Sequence, residues 1–467
     1  MEDKKITAEE LKAAWTKDID ALAEKVAAAM NSANPGHIID DSEEPVRDAN
    51  GEFRQQSYQK AMDLLQSKKL QEDFSPQQKL PHLKWENKGP QKTSCLTVNG
   101  PLTITRTIFW NSHQGSVAPV DSLLGIDKEK YSTGVREMAS RLNLNEAFIP
   151  ASGNLLRMAQ LSISHSAFRD LVEREGLRAM QAITSSSHAP DWTSHDCTNK
   201  TVITGADGVM VPIVTEEQKQ KRRATEKARQ EKQGKKSTRK RGRPKSGSDG
   251  PYKEFKLVSF YDSDKSHKYA VGTSGNHEVL GRIMRREAGK IKIGQAEAAY
   301  SVTDGAEWIY RQYKIQLPML DENILDYFHL RDHVIATSYA LYGEGTKKAK
   351  EWREDMMGYV WNQGSMVMLD KINNYKRRHK DGPKRESLDE LCQYVTKRVD
   401  MTDYPSFRQQ GYDCGSGPTE SFCGCLTTRL KGRGMRWDKD NAEGIMALGS
   451  LYYSNQWENY WKNERAA

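Results

Sequence analysis

Nowhere in this 467-residue chain do some 18 apolar residues run together, so no membrane-spanning helix is expected. Apolar residues make up only 36% of it and aromatics 8%, with a mean hydropathy of −0.81. So polar a chain is not packed throughout. Exposed helices and at least one stretch without a core are expected. Cysteines number six, and the residues behind Glu2, Asp3, Lys4 and Lys5 hold no apolar leader. Both point to a reducing compartment, here the cytoplasm. The cysteines do not fall into two Cys-x-x-Cys pairs. Cys414, Cys423 and Cys425 lie within a dozen residues but with Cys-x-Cys spacing and no nearby histidine, which favours small buried side chains over zinc ligands. No P-loop and no complete Gly-x-Gly-x-x-Gly occurs, so the commonest nucleotide signatures are absent.

What the chain does have is positive charge in one place. Glu217 to Lys245 holds 14 Lys or Arg against 3 Asp or Glu, a net of +11 within a whole-chain +8, so the remainder carries −3. Charge this concentrated points to a polyanionic partner. The stretch ends Arg239-Lys240-Arg241-Gly242-Arg243-Pro244-Lys245. An extended Arg-Gly-Arg-Pro core is slim enough for the narrow A·T-rich minor groove, the pattern of an AT-hook; the plainer reading is a solvated basic linker. With so few apolar residues the stretch is expected to lack a fold of its own.

The rest of the chain reads as helices and a sheet. Thr7 and Glu10 form a capping box ahead of a stripe of Leu11, Trp15, Ile19, Leu22 and Val26. Residues 31–55 read as a loop, a helix follows from Gln56 to Leu70, and residues 71–92 look irregular. Cys95 to Val98 and Leu102 to Trp110 alternate around Asn99-Gly100, a hairpin signal. Helical patterns follow at Lys130 to Leu142, Asn145 to Ala159 and Ser164 to Glu175. The turn near Leu161 suits either a helix-turn-helix or a plain helical hairpin. Strands are expected at Thr201 to Ala206, Glu254 to Tyr261, His267 to Val271, Ala298 to Thr303 and Ile324 to Tyr327, with helices near Glu278 to Arg286 and Trp308 to Tyr313. From Phe328 to about Val399 the pattern is helical, and it returns to amphipathic helix from Thr419.

Three acids stand out in this frame. Asp207 and Asp304 each follow an apolar strand and precede glycine, and Glu420 follows the turn Gly415-Ser416-Gly417-Pro418-Thr419. Taken singly, each Asp-Gly is an ordinary turn signal and Glu420 an ordinary helix-start acid. Taken together, two strands and a helix can bring three carboxylates to one end of a sheet, where they would hold two Mg²⁺ or Mn²⁺ for phosphoryl transfer. Asp326 and His329, three residues apart, face that same site or else His329 simply packs.

These residues together resemble a bacterial insertion-sequence transposase of the DDE class, ISKra type. The resemblance runs from about residue 90 to the C-terminus. It is carried by Ala206-Asp207-Gly208-Val209-Met210-Val211-Pro212, Tyr252-Lys253-Glu254-Phe255-Lys256, Thr303-Asp304-Gly305-Ala306-Glu307-Trp308-Ile309 and Leu325-Asp326-Tyr327-Phe328-His329. It continues through Gly415-Ser416-Gly417-Pro418-Thr419-Glu420 and Leu430-Lys431-Gly432-Arg433-Gly434-Met435-Arg436-Trp437.

The resemblance implies an α/β fold: an RNase H-like catalytic core with a mixed five-stranded sheet, an all-helical insertion and a mostly helical N-terminal DNA-binding region. The implied layout is a helical region over residues 1–90 and a hairpin with helix-turn-helix-like DNA-binding elements over 91–195. The core would span 196–328, interrupted by the basic insertion at 216–250, with the helical insertion at 329–412 and the last core helices at 413–467. Asp207, Asp304 and Glu420 would be the metal-binding catalytic triad, with His329 beside them, acting on transposon ends. Double-stranded DNA, both terminal repeats and target, would be met by Arg239, Arg241, Gly242, Arg243, Pro244, Lys245, Lys431, Arg433 and Arg436, and two or more subunits would act together. Relatives often carry a Cys-x-x-Cys zinc ribbon where this chain reads Trp110-Asn111-Ser112-His113-Gln114-Gly115, without cysteine. The rival readings are a non-catalytic AT-hook protein descended from such an enzyme, and a nuclease on the same fold.

Overall fold

The computed structural model describes residues 5–67, 83–126, 129–234 and 247–466. Two compact units divide it, residues 1–172 and 173–467.

The first unit opens with an antiparallel helix pair, Ala8–Ser32 and Ile38–Leu65. Thr7 and Glu10 close the expected capping box on the first helix. The second helix corrects the loop expected over 31–55. It runs through Pro45 at its eighth position, where a proline removes a hydrogen bond. The polar composition hides this helix because its role is polar. Gln59 donates to Thr103 O (2.9 Å) and accepts from Thr103 N (2.8 Å), and Gln66 donates to Thr105 O (3.2 Å). Its side chains thus pair with a strand edge that would otherwise stand open.

That edge belongs to β2 (Gly100–Asn111), which pairs antiparallel with β1 (Glu86–Thr97) and, at its far end, with β3 (Gly115–Val117). The Asn99-Gly100 hairpin is present, with Gly100 at φ +112°. β1 begins nine residues earlier than expected, because a polar two-stranded ribbon has no apolar alternation to read. Asn111 Oδ1 accepts from His113 N and Gln114 N (2.9 and 2.7 Å) and closes a tight turn. Helices Thr133–Asn143, Phe148–Ala159 and His165–Thr184 follow, the last longer than expected and crossing into the second unit.

The second unit is an α/β body. Its five-stranded mixed sheet has the order β6-β5-β4-β7-β8, formed by β4 (Thr201–Pro212), β5 (Tyr252–Asp262), β6 (Lys268–Thr273), β7 (Ala298–Thr303) and β8 (Glu322–Leu325). β4, β5 and β6 are antiparallel; β4, β7 and β8 are parallel. This architecture is compatible with an RNase H-like core. Five helices, from Tyr327–Tyr342 to Tyr404–Gln409, lie between β8 and the C-terminal helices. They share one core with the parallel strands, in which Val302, Ile324, Leu330, Trp352, Leu388 and Tyr404 are all buried.

The basic segment departs from expectation in its first half. Glu216–Lys232 is a helix with no buried residue. Lys219 ties it to Asp438 (2.5 Å), and the rest of its stability is local. Thr215 and Gln218 form a capping box, acids occupy the first turn and bases the last, and Glu217–Lys221 and Lys227–Glu231 pair at four-residue spacing. A helix can therefore form without a core to bury. Arg239, Arg241, Gly242, Arg243, Pro244 and Lys245 lie outside the described residues.

Candidate metal centre

The parallel strands set their acids side by side. β4 and β7 pair as far as Thr204 opposite Ser301, and β7 and β8 as far as Thr303 opposite Leu325. Carried three residues further, the first register sets Asp207 level with Asp304; carried one further, the second sets Asp304 level with Asp326. Asp207 does not end its strand, contrary to the expectation from sequence. β4 continues to Pro212 against β5, with Asp207 opposite Leu257. What ends near Asp207 is the pairing with β7, so the carboxylate stands where the parallel half of the sheet opens.

Glu420 arrives on the helix Gly417–Thr428, in its first turn. Gly205 is why this helix can come close. A Cβ at position 205 would lie 2.0 Å from Thr419 Oγ1, nearer than any atom fits. Thr419 in turn shares a hydrogen bond with Ser259 on β5 (2.9 Å). One helical turn after Glu420, Cys423 is buried and feels the negative charge of Asp207. Burial and that neighbouring negative charge push the thiol's pKa far up, so it stays protonated. Cys414 is buried as well, as expected; Cys425 is only half-buried.

Asp326 is the best-held acid of the group. It caps the helix Tyr327–Tyr342, its Oδ1 accepting from Phe328 N (2.6 Å) and His329 N (2.9 Å), while its Oδ2 accepts from Ser416 N. Burial opposes its charge, yet the hydrogen bonds from His329 and Ser416 hold its pKa at about 2. His329 Nδ1 stands 3.4 Å from Asp326 and 3.9 Å from Glu420 Oε1. The Asp326 contact, against the cost of burial and with help from the charges of Asp304 and Glu420, raises the imidazole to about 9. Glu420 is half exposed and is steadied by Ser416 Oγ at 2.9 Å.

Asp304 has the opposite environment. Burial, joined by the negative charge of Asp207, raises its pKa, although Ala306 N at 2.8 Å supports the ionised form. Asp207 and Asp304 are thus close enough to repel each other, while the charges of His329 and Arg398 act on Asp304 in the opposite sense. Among the described residues the tightest potential ligand cluster is Asp326, His329 and Glu420, whose atoms lie within 4.8 Å of one another. Its chemistry fits a metal only in part. Both Asp326 oxygens already accept backbone hydrogen bonds, and the acids around His329 raise its pKa. Of the acids expected from sequence, Glu420 belongs to this cluster, and Asp207 and Asp304 are not among its members.

Lys431, Arg433 and Arg436 are exposed on the loop after this helix. The loop is pinned at both ends by buried neighbours. Trp437 Nε1 donates to Leu430 O (3.1 Å), and Trp437 pairs with Ile213 beyond the end of β4. The charge of Lys431 is felt by Cys423.

The sequence alone read Cys423 only as a small buried side chain and Ser416 only as part of a turn, and gave neither a place beside the acids. Cys423 had a usable signal, because three residues after Glu420 is the same helix face.

No protein-family model and no curated protein matches this chain. Among solved structures, a chain of the "Drosophila P element transposase strand transfer complex" aligns over 74% of this chain and 84% of its own length, at 10% identity and a TM-score of 0.25. At that value the likeness carries no argument. No helix among the described residues is long and apolar enough to cross a membrane.

Proposed function

We propose that this chain is a DDE-class DNA transposase that cuts insertion-sequence ends and joins them to target DNA. The observation that carries the reading is the register of the parallel strands, which sets Asp207 and Asp304 level at the opening of the sheet while Gly205 admits the helix bearing Glu420. Asp207, Asp304 and Glu420 would hold Mg²⁺ or Mn²⁺. Two such ions supply the activation of an attacking oxygen and the stabilisation of a leaving one. The chain's own residues do the rest. Protonated His329 holds Glu420 in place and offsets negative charge as a phosphodiester approaches. Lys431, Arg433 and Arg436 meet backbone phosphates at the rim. The basic segment, with its Arg-Gly-Arg-Pro core, anchors duplex DNA through phosphates and an A·T minor groove. Because two ends must be joined, the working form on DNA is a dimer or larger.

The test is to incubate the protein with its own element's ends and Mg²⁺, alongside Asp207→Asn. A neutral amide is a poor ligand for a hard cation, so this variant should fold and bind DNA yet lose cleavage by several orders of magnitude. Cleavage at wild-type rate by the variant overturns the triad. Binding without cleavage by the wild type leaves a non-catalytic DNA-binding protein, and cleavage without joining leaves a nuclease.

A further inference from the structure

We infer that the helical insertion sets the position of the Asp304 carboxylate, and that Tyr394 and Arg398 are the positioning residues through which it does so. This rests on the reading of Asp304 as a metal ligand. Asp304 sits on a short turn between β7 and the helix Glu307–Gln316. The carbonyls of Asp304 and Gly305 in that turn are taken by the insertion. Tyr394 Oη donates to Asp304 O (3.3 Å), and Arg398 Nε donates to Gly305 O (2.8 Å). These contacts span 90 and 93 residues of sequence, so nothing local to the turn supplies them.

The two side chains are themselves locked. The Arg398 guanidinium lies 3.8 Å over the Tyr394 ring and donates to Tyr394 O (3.0 Å). The other neighbour of that ring is His333, stacked at 3.7 Å and 27°. A stack of this kind holds a guanidinium in one orientation, and lysine cannot reproduce its planar fork. Gly305 completes the device. Its φ is +75°, and a Cβ there would lie 2.4 Å from Leu325 Cδ1 and 2.7 Å from Arg398 Nε. Only glycine allows Arg398 to close on the turn. On the turn's other side, Ala306 N holds Asp304 Oδ1 (2.8 Å), so the backbone that Arg398 and Tyr394 fix is the backbone that aims the carboxylate.

Groups that orient a ligand from behind typically change metal affinity about 10- to 100-fold when removed. The experiment titrates Mn²⁺ into the full-length protein by electron paramagnetic resonance, beside a thermal melt without metal. Tyr394→Phe removes one oxygen and keeps the stack; Arg398→Lys keeps the charge and loses the fork. Asp304→Asn is the reference. The expected result is that Asp304→Asn abolishes binding at the site, while Tyr394→Phe and Arg398→Lys each weaken it about tenfold and leave the metal-free melt within a degree or two of wild type. Wild-type Mn²⁺ affinity in both positioning variants, with Asp304→Asn still deficient, overturns the inference. Wild-type affinity in Asp304→Asn overturns the metal-site reading, and the inference falls with it.

Discussion

Both ring nitrogens of His188 are buried without a hydrogen-bond partner, and the ring meets Tyr460 edge-on at 5.8 Å. Burial, aided by the positive charge of Lys290, lowers its pKa from 6.5 to about 4. The folded state therefore prefers the neutral ring. The stability this gives is complete above about pH 6.5 and is lost as the pH falls towards 4, where the unfolded chain takes up a proton that the folded one refuses. A shift of this size amounts to roughly 3 kcal/mol. His188→Phe keeps an apolar ring and cannot titrate. Urea melts of the two proteins from pH 7 to pH 4 should show the wild type losing up to that much more stability than the variant. Parallel curves would mean that His188 does not sense pH. Asp326 illustrates the contrary case at the same scale, since its capping bonds outweigh burial and keep it charged.

At the scale of elements, helices meet where side chains are absent. Gly176 on the helix His165–Thr184 faces Gly444 on Lys439–Tyr453, and a Cβ on Gly444 would lie 2.8 Å from Gly176 C. Helix propensity alone makes glycine-to-alanine favourable by about 0.5–1 kcal/mol. Here the backbone contact must open, and overpacking of this kind costs typically 1–3 kcal/mol. Gly444→Ala should therefore lower the thermal midpoint, opposite in sign to what propensity dictates; a raised midpoint would refute the close crossing.

The same elements explain what was legible in the sequence. The strand Ala298–Thr303 was readable to the residue, because it is a buried apolar run closed by Asp-Gly. The run Val209 to Pro212 was not read as a continuation of β4, because Gly208 looks like a break and only the partner strand shows that pairing persists. The helix Ile38–Leu65 was hidden by acids and a proline, since its contacts are glutamine amides and not an apolar stripe. Asp304 was legible as a strand-end acid and Glu420 as a helix-start acid, whereas Asp207 lies inside β4 and not at its end. That Gly205 and Thr419 fix how near two of them come is a fact of register, which no local pattern carries.

For the molecule as a whole, the excess positive charge lies in one stretch of the sequence. Removing Glu217 to Lys245 takes the net from +8 to −3. It should not disturb the sheet, because the base of the segment is already closed: Glu216 N donates to Ser248 O (3.0 Å) and Ser248 N to Val214 O (3.0 Å). A short Gly-Ser link across that base would leave β4 and β5 paired, and the melt should stay near wild type, since the helix Glu216–Lys232 buries nothing. DNA affinity should change in a particular way. Each phosphate that the shortened protein no longer neutralises takes about 0.9 from the slope of log affinity against log salt. Of the 14 cations in the segment only those that reach phosphate count, so a drop of several units in slope is expected. It should be accompanied by weaker binding at about 50 mM salt and a smaller difference at high salt, where counterion release contributes little. If the segment were a solvated linker, both slope and affinity would match the intact protein. If its role were minor-groove recognition alone, preference for A·T-rich duplex would vanish while the slope fell by only about one or two units. The slope and the base preference, measured on the same pair of proteins, separate these roles.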